Sequence, residues 1–184
     1  MSIKKSILLL VIAMTAAAGL LAVPASATDF AVGGAYWDTK DADQALGVSS
    51  KLGFGLFELR ASYFSDVTAD TEPESRDFEI SAIPLEAGLK WDFARDERVN
   101  PYLGGGAGYY LLDTSRGDIN DEVGFYAVAG VDIATQAGFG INLEGIYRGI
   151  EATVDNVDGD GHIRDEVDLN LDGFGVNAGL VWKF

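Results

Sequence analysis

The chain has 184 residues, with 29 Asp+Glu against 13 Lys+Arg for a formal charge of −16, and it contains no cysteine. So acidic a protein repels nucleic acid, which sets nucleic-acid binding aside, and without cysteine neither a disulfide nor a lipoprotein anchor can form. The 23 glycines and four prolines point to a turn-rich, strand-rich protein.

Lys4 and Lys5 precede a nearly unbroken apolar run from Ile7 to Val23, and Pro24-Ala-Ser-Ala27 supplies a small-residue cleavage site. This is the pattern of a secretory signal peptide. The alternative, an N-terminal membrane anchor, lacks a basic stop-transfer flank. Residues 1–27 are therefore expected to be removed, leaving 28–184 as one domain. That domain loses two of the 13 bases and none of the acids, so its formal charge is −18.

Eight strands are expected in the remainder, because apolar residues recur at period two and a strand points alternate side chains to opposite faces. The first spans 30–38, with Phe30, Val32, Gly34 and Tyr36 on one face. The second spans 46–54. The third, 57–66, sets Phe57, Leu59, Ala61 and Tyr63 against Glu58, Arg60 and Ser62. The fourth spans 78–93. Its first half places Phe78, Ile80 and Ala82 outward, and its second half places Leu85, Ala87, Leu89, Trp91 and Phe93 outward. That change of parity predicts a β-bulge at Ile83-Pro84, a place where proline is tolerated. The fifth spans 102–112, the sixth 123–134 and the seventh 139–150. The eighth, Phe174 to Phe184, places Phe174, Val176, Ala178, Leu180, Trp182 and Phe184 on one face. Each is about as long as the 9–11 residues that a tilted strand needs to cross a bilayer.

The connections alternate long and short, which puts the longer ones at one end of a closed sheet. An even strand count would leave both ends of the chain on the opposite side. The longer connections and their flanks hold 20 of the 29 acids and four bases, Lys40, Arg76, Arg116 and Arg164. Outward strand positions carry no charge. Inward positions carry Glu58, Glu79, Glu86, Asp92, Asp132 and Glu144 with Lys51, Arg60, Lys90, Arg148 and Lys183. Eight strands enclose a space that side chains can just fill, and buried charges must pair. The expectation is a paired internal network of Glu58, Arg60, Glu86, Lys90, Asp132, Glu144, Arg148 and Lys183. In it Glu58, Glu86 and Glu144 meet Arg60, Lys90 and Arg148 across neighbouring inward positions, and no continuous water path remains.

The last strand resembles the closing strand of bacterial outer-membrane β-barrels, whose assembly machinery reads an aromatic strand end; Trp182 and Phe184 would carry that signal. Ile83-Pro-Leu-Glu-Ala-Gly-Leu-Lys-Trp-Asp-Phe93 and Asn100-Pro-Tyr-Leu-Gly-Gly-Gly-Ala-Gly-Tyr109 are similar to the fourth and fifth strands of the small OmpA- and OmpX-like barrels and of OmpW-like proteins. The resemblance implies an all-β, eight-stranded, antiparallel up-and-down transmembrane barrel in the outer membrane of a Gram-negative cell. It is specific for fold and weak for function, since that group includes structural, adhesive, channel and enzymatic members.

Three motifs invite chemical readings. Gly104-Gly-Gly-Ala-Gly108 lacks the Lys-Ser/Thr of a phosphate loop and reads as strand glycines that make room for large inward side chains. His162, the single histidine, lies among Gly159, Asp160, Gly161 and Asp165; a solvated loop residue is expected rather than the base of a hydrolase, although Ser62, Ser65 or Ser115 are candidate partners. Asn156-Val-Asp-Gly-Asp-Gly-His-Ile-Arg-Asp-Glu166 resembles the first half of an EF-hand loop, with Asn156, Asp158 and Asp160 at ligand positions. Val167 occupies the position of the bidentate Glu, with Glu166 beside it. Two readings stay open: a solvated acidic loop, or a weak calcium site built from Asn156, Asp158, Asp160 and Glu166.

The leading functional expectation is a non-enzymatic, monomeric barrel displaying acidic loops, with a structural, adhesive or envelope-integrity role. Its partners would be outer-membrane lipid, lipopolysaccharide and the barrel-assembly machinery; no cofactor is expected beyond weakly held calcium. A narrow channel for small solutes is the second expectation and a lipid A-modifying enzyme the third.

Overall fold

A computed structural model describes residues 29–40, 44–69, 78–95, 97–114, 118–119, 121–135, 139–157 and 163–184. The candidate signal segment, Asp158, Asp160 and His162 lie outside the described residues.

Eight strands close into an antiparallel barrel. They are β1 (Asp29–Thr39), β2 (Ala45–Phe54), β3 (Phe57–Ala69), β4 (Phe78–Asp92), β5 (Val99–Thr114), β7 (Glu122–Ala134), β8 (Phe139–Gly149) and β11 (Gly173–Lys183). Around the barrel the order is β1-β11-β8-β7-β5-β4-β3-β2, so sequence neighbours pair and β1 closes on β11, with Asp29 opposite Lys183. These are the eight strands that period-two alternation predicts, with ends shifted by a few residues. The tightest connection, between β2 and β3, is Gly55-Leu56; Gly55 takes φ 67°, a left-handed conformation that glycine adopts without a Cβ clash.

Alternation sorts the side chains. Phe57, Leu59, Leu85, Leu89, Trp91, Leu103, Phe125, Ile141, Leu143, Phe174 and Val176 are exposed on the outer wall, whereas Lys51, Glu58, Arg60, Glu86, Lys90, Asp132, Glu144 and Arg148 are buried inside. An inverted hydrophobic pattern of this kind is stable only where the outer solvent is apolar. A soluble barrel would bury the first set and expose the second.

Two expectations need correction. The β-bulge is not at Ile83-Pro84: Pro84 stands in unbroken register opposite Tyr110. The register shift instead falls between Phe64 and Val67 of β3, where Phe64 faces Ala82 and Val67 faces Ile80. Ala82 accordingly points inward and is buried, not outward. An extra residue in a ladder can sit on either partner, and the parity of one strand read alone cannot say which strand holds it. The second correction concerns 151–173, read as one long loop. It contains β9 (Glu151–Val157) and β10 (Ile163–Asn170), which pair with each other, and β9 also pairs with β6 (Asp118–Ile119) from the connection between β5 and β7. Opposed residues in the hairpin include Val154 with Val167 and Ala152 with Leu169, pairs suited to a ladder but diluted by acids in the linear sequence.

Candidate functional site

The lumen gathers the chemistry-bearing side chains, and parity delivers them from every wall strand. Its centre is Glu144 on β8. Oε1 accepts from Lys51 Nζ at 2.5 Å and from the Tyr102 hydroxyl, while Oε2 accepts from Arg60 Nη2 and from Asn177 Nδ2 at 3.0 Å. Each carboxylate oxygen thus takes two donors, its full complement of lone pairs. Arg60 Nε lies 3.0 Å from Glu58 Oε1, so one guanidinium joins two acids. Lys51 Nζ donates to Tyr102 Oη at 2.7 Å. Asn142 Nδ2 donates to Tyr102 Oη at 2.8 Å and to Asp132 Oδ1 at 2.7 Å, and Lys183 Nζ lies 3.3 Å from Asp132 Oδ2.

Two satellite clusters flank this centre. At the short-connection end, Lys90 Nζ donates to Asp29 Oδ2 at 2.8 Å and lies 3.7 Å from Asp92; Asn100 Nδ2 donates to Asp92 Oδ1 at 2.7 Å. Toward the long-connection end, Arg148 Nε donates to Glu86 Oε1 at 2.8 Å, Nη2 donates to Oε2 at 3.3 Å, and the Tyr110 hydroxyl donates to Oε1 at 3.0 Å. This bidentate pair is the strong geometry for an Arg–carboxylate contact. The Arg148 guanidinium also sits 5.5 Å from the ring centres of Trp37 and of Phe64, within cation–π range.

Beyond Arg148 the lumen changes character. Trp37, Phe64, Ala45, Ala82, Leu112, Ile150 and Leu171 form one buried apolar cluster, with Trp37 and Phe64 rings 5.2 Å apart. Space within the charged centre is small: the cavity beside Lys51, Arg60, Ser62, Glu144 and Asn177 measures about 10 Å³, scarcely room for one water.

The partners differ from those expected. Lys90 meets Asp29 and Asp92, while Glu86 meets Arg148. Glu144 on β8 reaches β2 and β3, and Glu86 on β4 reaches β8, so these contacts cross the lumen between strands that are not hydrogen-bonded neighbours. Adjacency along the sheet does not predict them. The expected network leaves out Asp29, Tyr102 and Tyr110, and also Tyr126, although its alternation sets it inward; the inward parity shared with Ala31, Gly104, Gly108 and Val128 was the available signal.

The glycine run lies wholly in β5. A Cβ on Gly108 would come 2.8 Å from the Tyr110 ring and 3.0 Å from Glu86 Cγ, so its absence makes room for large inward side chains. Of the candidate calcium ligands, Asn156 belongs to β9, opposite Asp165, and Glu166 belongs to β10, opposite Asp155. Trp182 of β11 stacks on Phe30 of β1 with centroids 5.9 Å apart, and Phe184 is exposed beyond the strand.

Comparison with known proteins places this geometry. No curated protein matches the chain. Among solved structures, the outer membrane protein OprG from Pseudomonas aeruginosa superposes with a TM-score of 0.72 at 17% identity, covering 86% of this chain and 97% of that one. The E. coli outer membrane protein W gives 0.59 at 15% identity over 88% of this chain and 100% of that one. Neisserial surface protein A gives 0.53 at 18% over 86% and 96%. At these identities the likeness is one of fold. The family model for the outer membrane protein beta-barrel domain matches residues 6–184, and the chain belongs to that outer-membrane β-barrel family.

Proposed function

We propose that the protein is a non-enzymatic structural element of the outer membrane: a closed barrel that holds an acidic loop surface outside the cell, with an envelope-integrity or adhesive role. The observation that carries this reading is the filled lumen. Cross-lumen ion pairs occupy its middle, an apolar cluster occupies its long-connection end, and the cavity among the charges is about 10 Å³. A solute path needs a continuous wet bore, and an aqueous bore belongs to barrels of many more strands. The test is conductance of the folded barrel in planar bilayers, with negligible current expected. Reproducible single-channel steps would instead make the protein a narrow solute channel.

The acidic loops favour divalent cations as intermediaries with lipopolysaccharide phosphates, since direct contact would set like charges together. Asn156, Asp158, Asp160 and Glu166 are the proposed ligands of weakly held calcium, with affinity in the extracellular-module range of about 10⁻⁴–10⁻³ M. The barrel acts as a monomer, and the strand carrying Trp182 and Phe184 is the segment offered to the assembly machinery.

A further inference from the structure

The inner face of β1 leaves a gap in the ionic half of the lumen. Gly33 of β1 stands opposite Ser49 of β2 on one side and Gly179 of β11 on the other. None of the three brings more than a hydroxymethyl group to the interior. The ladders themselves enforce this thin wall. A Cβ on Gly33 would come 2.1 Å from the Ala178 carbonyl oxygen, and one on Gly179 would come 2.3 Å from the Val32 carbonyl oxygen. Opposite the wall, Lys51, Arg60, Ser62, Glu144 and Asn177 bound the gap as the cavity of about 10 Å³.

The side chains that line this cavity leave both a donor and an acceptor unused. Arg60 Nη1 and Asn177 Oδ1 are buried and have no hydrogen-bond partner among the described residues. Both residues are more than nine-tenths buried. The amide of Asn177 is oriented by its other end, since Nδ2 donates to Glu144 Oε2 at 3.0 Å, and Oδ1 is then the atom left without a donor. Lys51 Nζ donates to Tyr102 Oη and to Glu144 Oε1, which accounts for two of its three protons. The occupant must therefore both donate and accept. A cation would meet Lys51 and Arg60, and an anion would meet the oxygens of Asn177 and Glu144, so charge of either sign is repelled on one side. A dry cavity is a property of apolar linings, whereas a polar one of about 10 Å³ admits a single water.

We propose that this cavity binds one water molecule, which donates to Asn177 Oδ1, accepts from Arg60 Nη1, and so bridges β3 and β11 across the bare inner face of β1. Lys51 and Ser62 complete its shell. The water is an integral part of the barrel, isolated from bulk solvent at both mouths. The test uses the full folded barrel. Crystals soaked in rubidium bromide should show one ordered oxygen in the cavity and no anomalous peak from either ion. In lipid nanodiscs the Asn177 side-chain amide protons should give a cross-peak to a long-lived water. Ser49→Val fills the gap with a side chain suited to a strand and should abolish both signals. Heat-modifiable migration on gels reports its folding, and Ser49→Thr, which adds a single methyl group, serves if the valine variant fails to fold. An empty cavity in wild type, a rubidium or bromide peak, or a chain of waters running from the cavity to either mouth would overturn the proposal. So would an unchanged cross-peak in a folded gap-filling variant. The site draws on the filled lumen argued above, and the two part on conductance: single-channel steps with this water in place would fail the closed-barrel reading and leave the site standing.

Discussion

Toward the short connections the lumen is occupied by Glu144, Lys51, Arg60, Glu58, Lys90 and Asp29; toward the long connections it is occupied by Trp37, Phe64, Leu112, Ile150 and Leu171. Both halves exclude bulk water, by opposite means. In the ionic half Glu144 and Lys51 are each committed to several partners, and the satisfaction elsewhere is imperfect: both Glu58 carboxylate oxygens, Arg60 Nη1, Tyr126 Oη and Asn177 Oδ1 have no hydrogen-bond partner among the described residues. In the apolar half, dispersion and exclusion of water act with no requirement for matched charge. An ionic core loses much when one partner is removed, because the other charge is left buried. An apolar core loses in proportion to the cavity created. Arg148 joins the two, with Glu86 on one side of its guanidinium and the aromatic faces of Trp37 and Phe64 on the other.

The largest expected effect tests the ionic half. Glu144→Gln takes from Lys51 its carboxylate partner and leaves Arg60 with Glu58 alone, and it should cost about 3–5 kcal/mol, read as a lowered urea midpoint for the refolded barrel in vesicles. In the apolar half, Phe64→Ala should cost about 3 kcal/mol. It should leave conductance negligible, because the charged layers beneath it stay filled; steady current in this variant would mean that the apolar cluster alone seals the barrel. At the junction, the double variant Glu86→Leu/Arg148→Met should be less destabilised than the sum of its singles, with a coupling of roughly 0.5–3 kcal/mol. A coupling of zero would show that the bidentate pair does not act as a unit.

Smaller effects separate the lumen from the rim. Asp172 accepts from the backbone N–H of Ile150 at 2.8 Å and from the Tyr147 hydroxyl at 3.2 Å. Asp172→Ala should therefore cost about 1–3 kcal/mol through the stranded donors, with faster amide exchange at Ile150. The smallest change is expected for Lys40→Ala, since the Lys40–Asp172 pair is 4.0 Å long and its lysine is 66% exposed. It should cost less than about 1 kcal/mol and fade in high salt.

Which face of each strand points outward was legible in the sequence for nearly every wall residue, because period-two alternation depends only on each strand's own geometry. Glu58, Arg60 and Glu144 are placed inside by parity alone, as are Gly104, Gly106 and Gly108 of β5. The failures are equally local in origin. The expectation of an outward Ala82 fails because Phe78 and Ile80 imitate a parity break at Pro84, while the extra residue sits across the ladder on β3. The β9–β10 hairpin was missed because turn-forming and acidic residues interrupt its short apolar alternation, and its pairing with β6 joins segments far apart in the chain.

Alternation, the bounds of the strands and the absence of outward charge were enough to specify a barrel with an apolar wall and a charged interior. Each of these is a property of one strand and the solvent on its two sides. The choice of partners inside belonged to the tertiary structure. Glu144 meets Lys51 and Arg60, Glu86 meets Arg148, and Lys90 meets Asp29 because closure of the sheet brings opposite walls within side-chain reach. The stagger that selects those partners arises only when β1 meets β11.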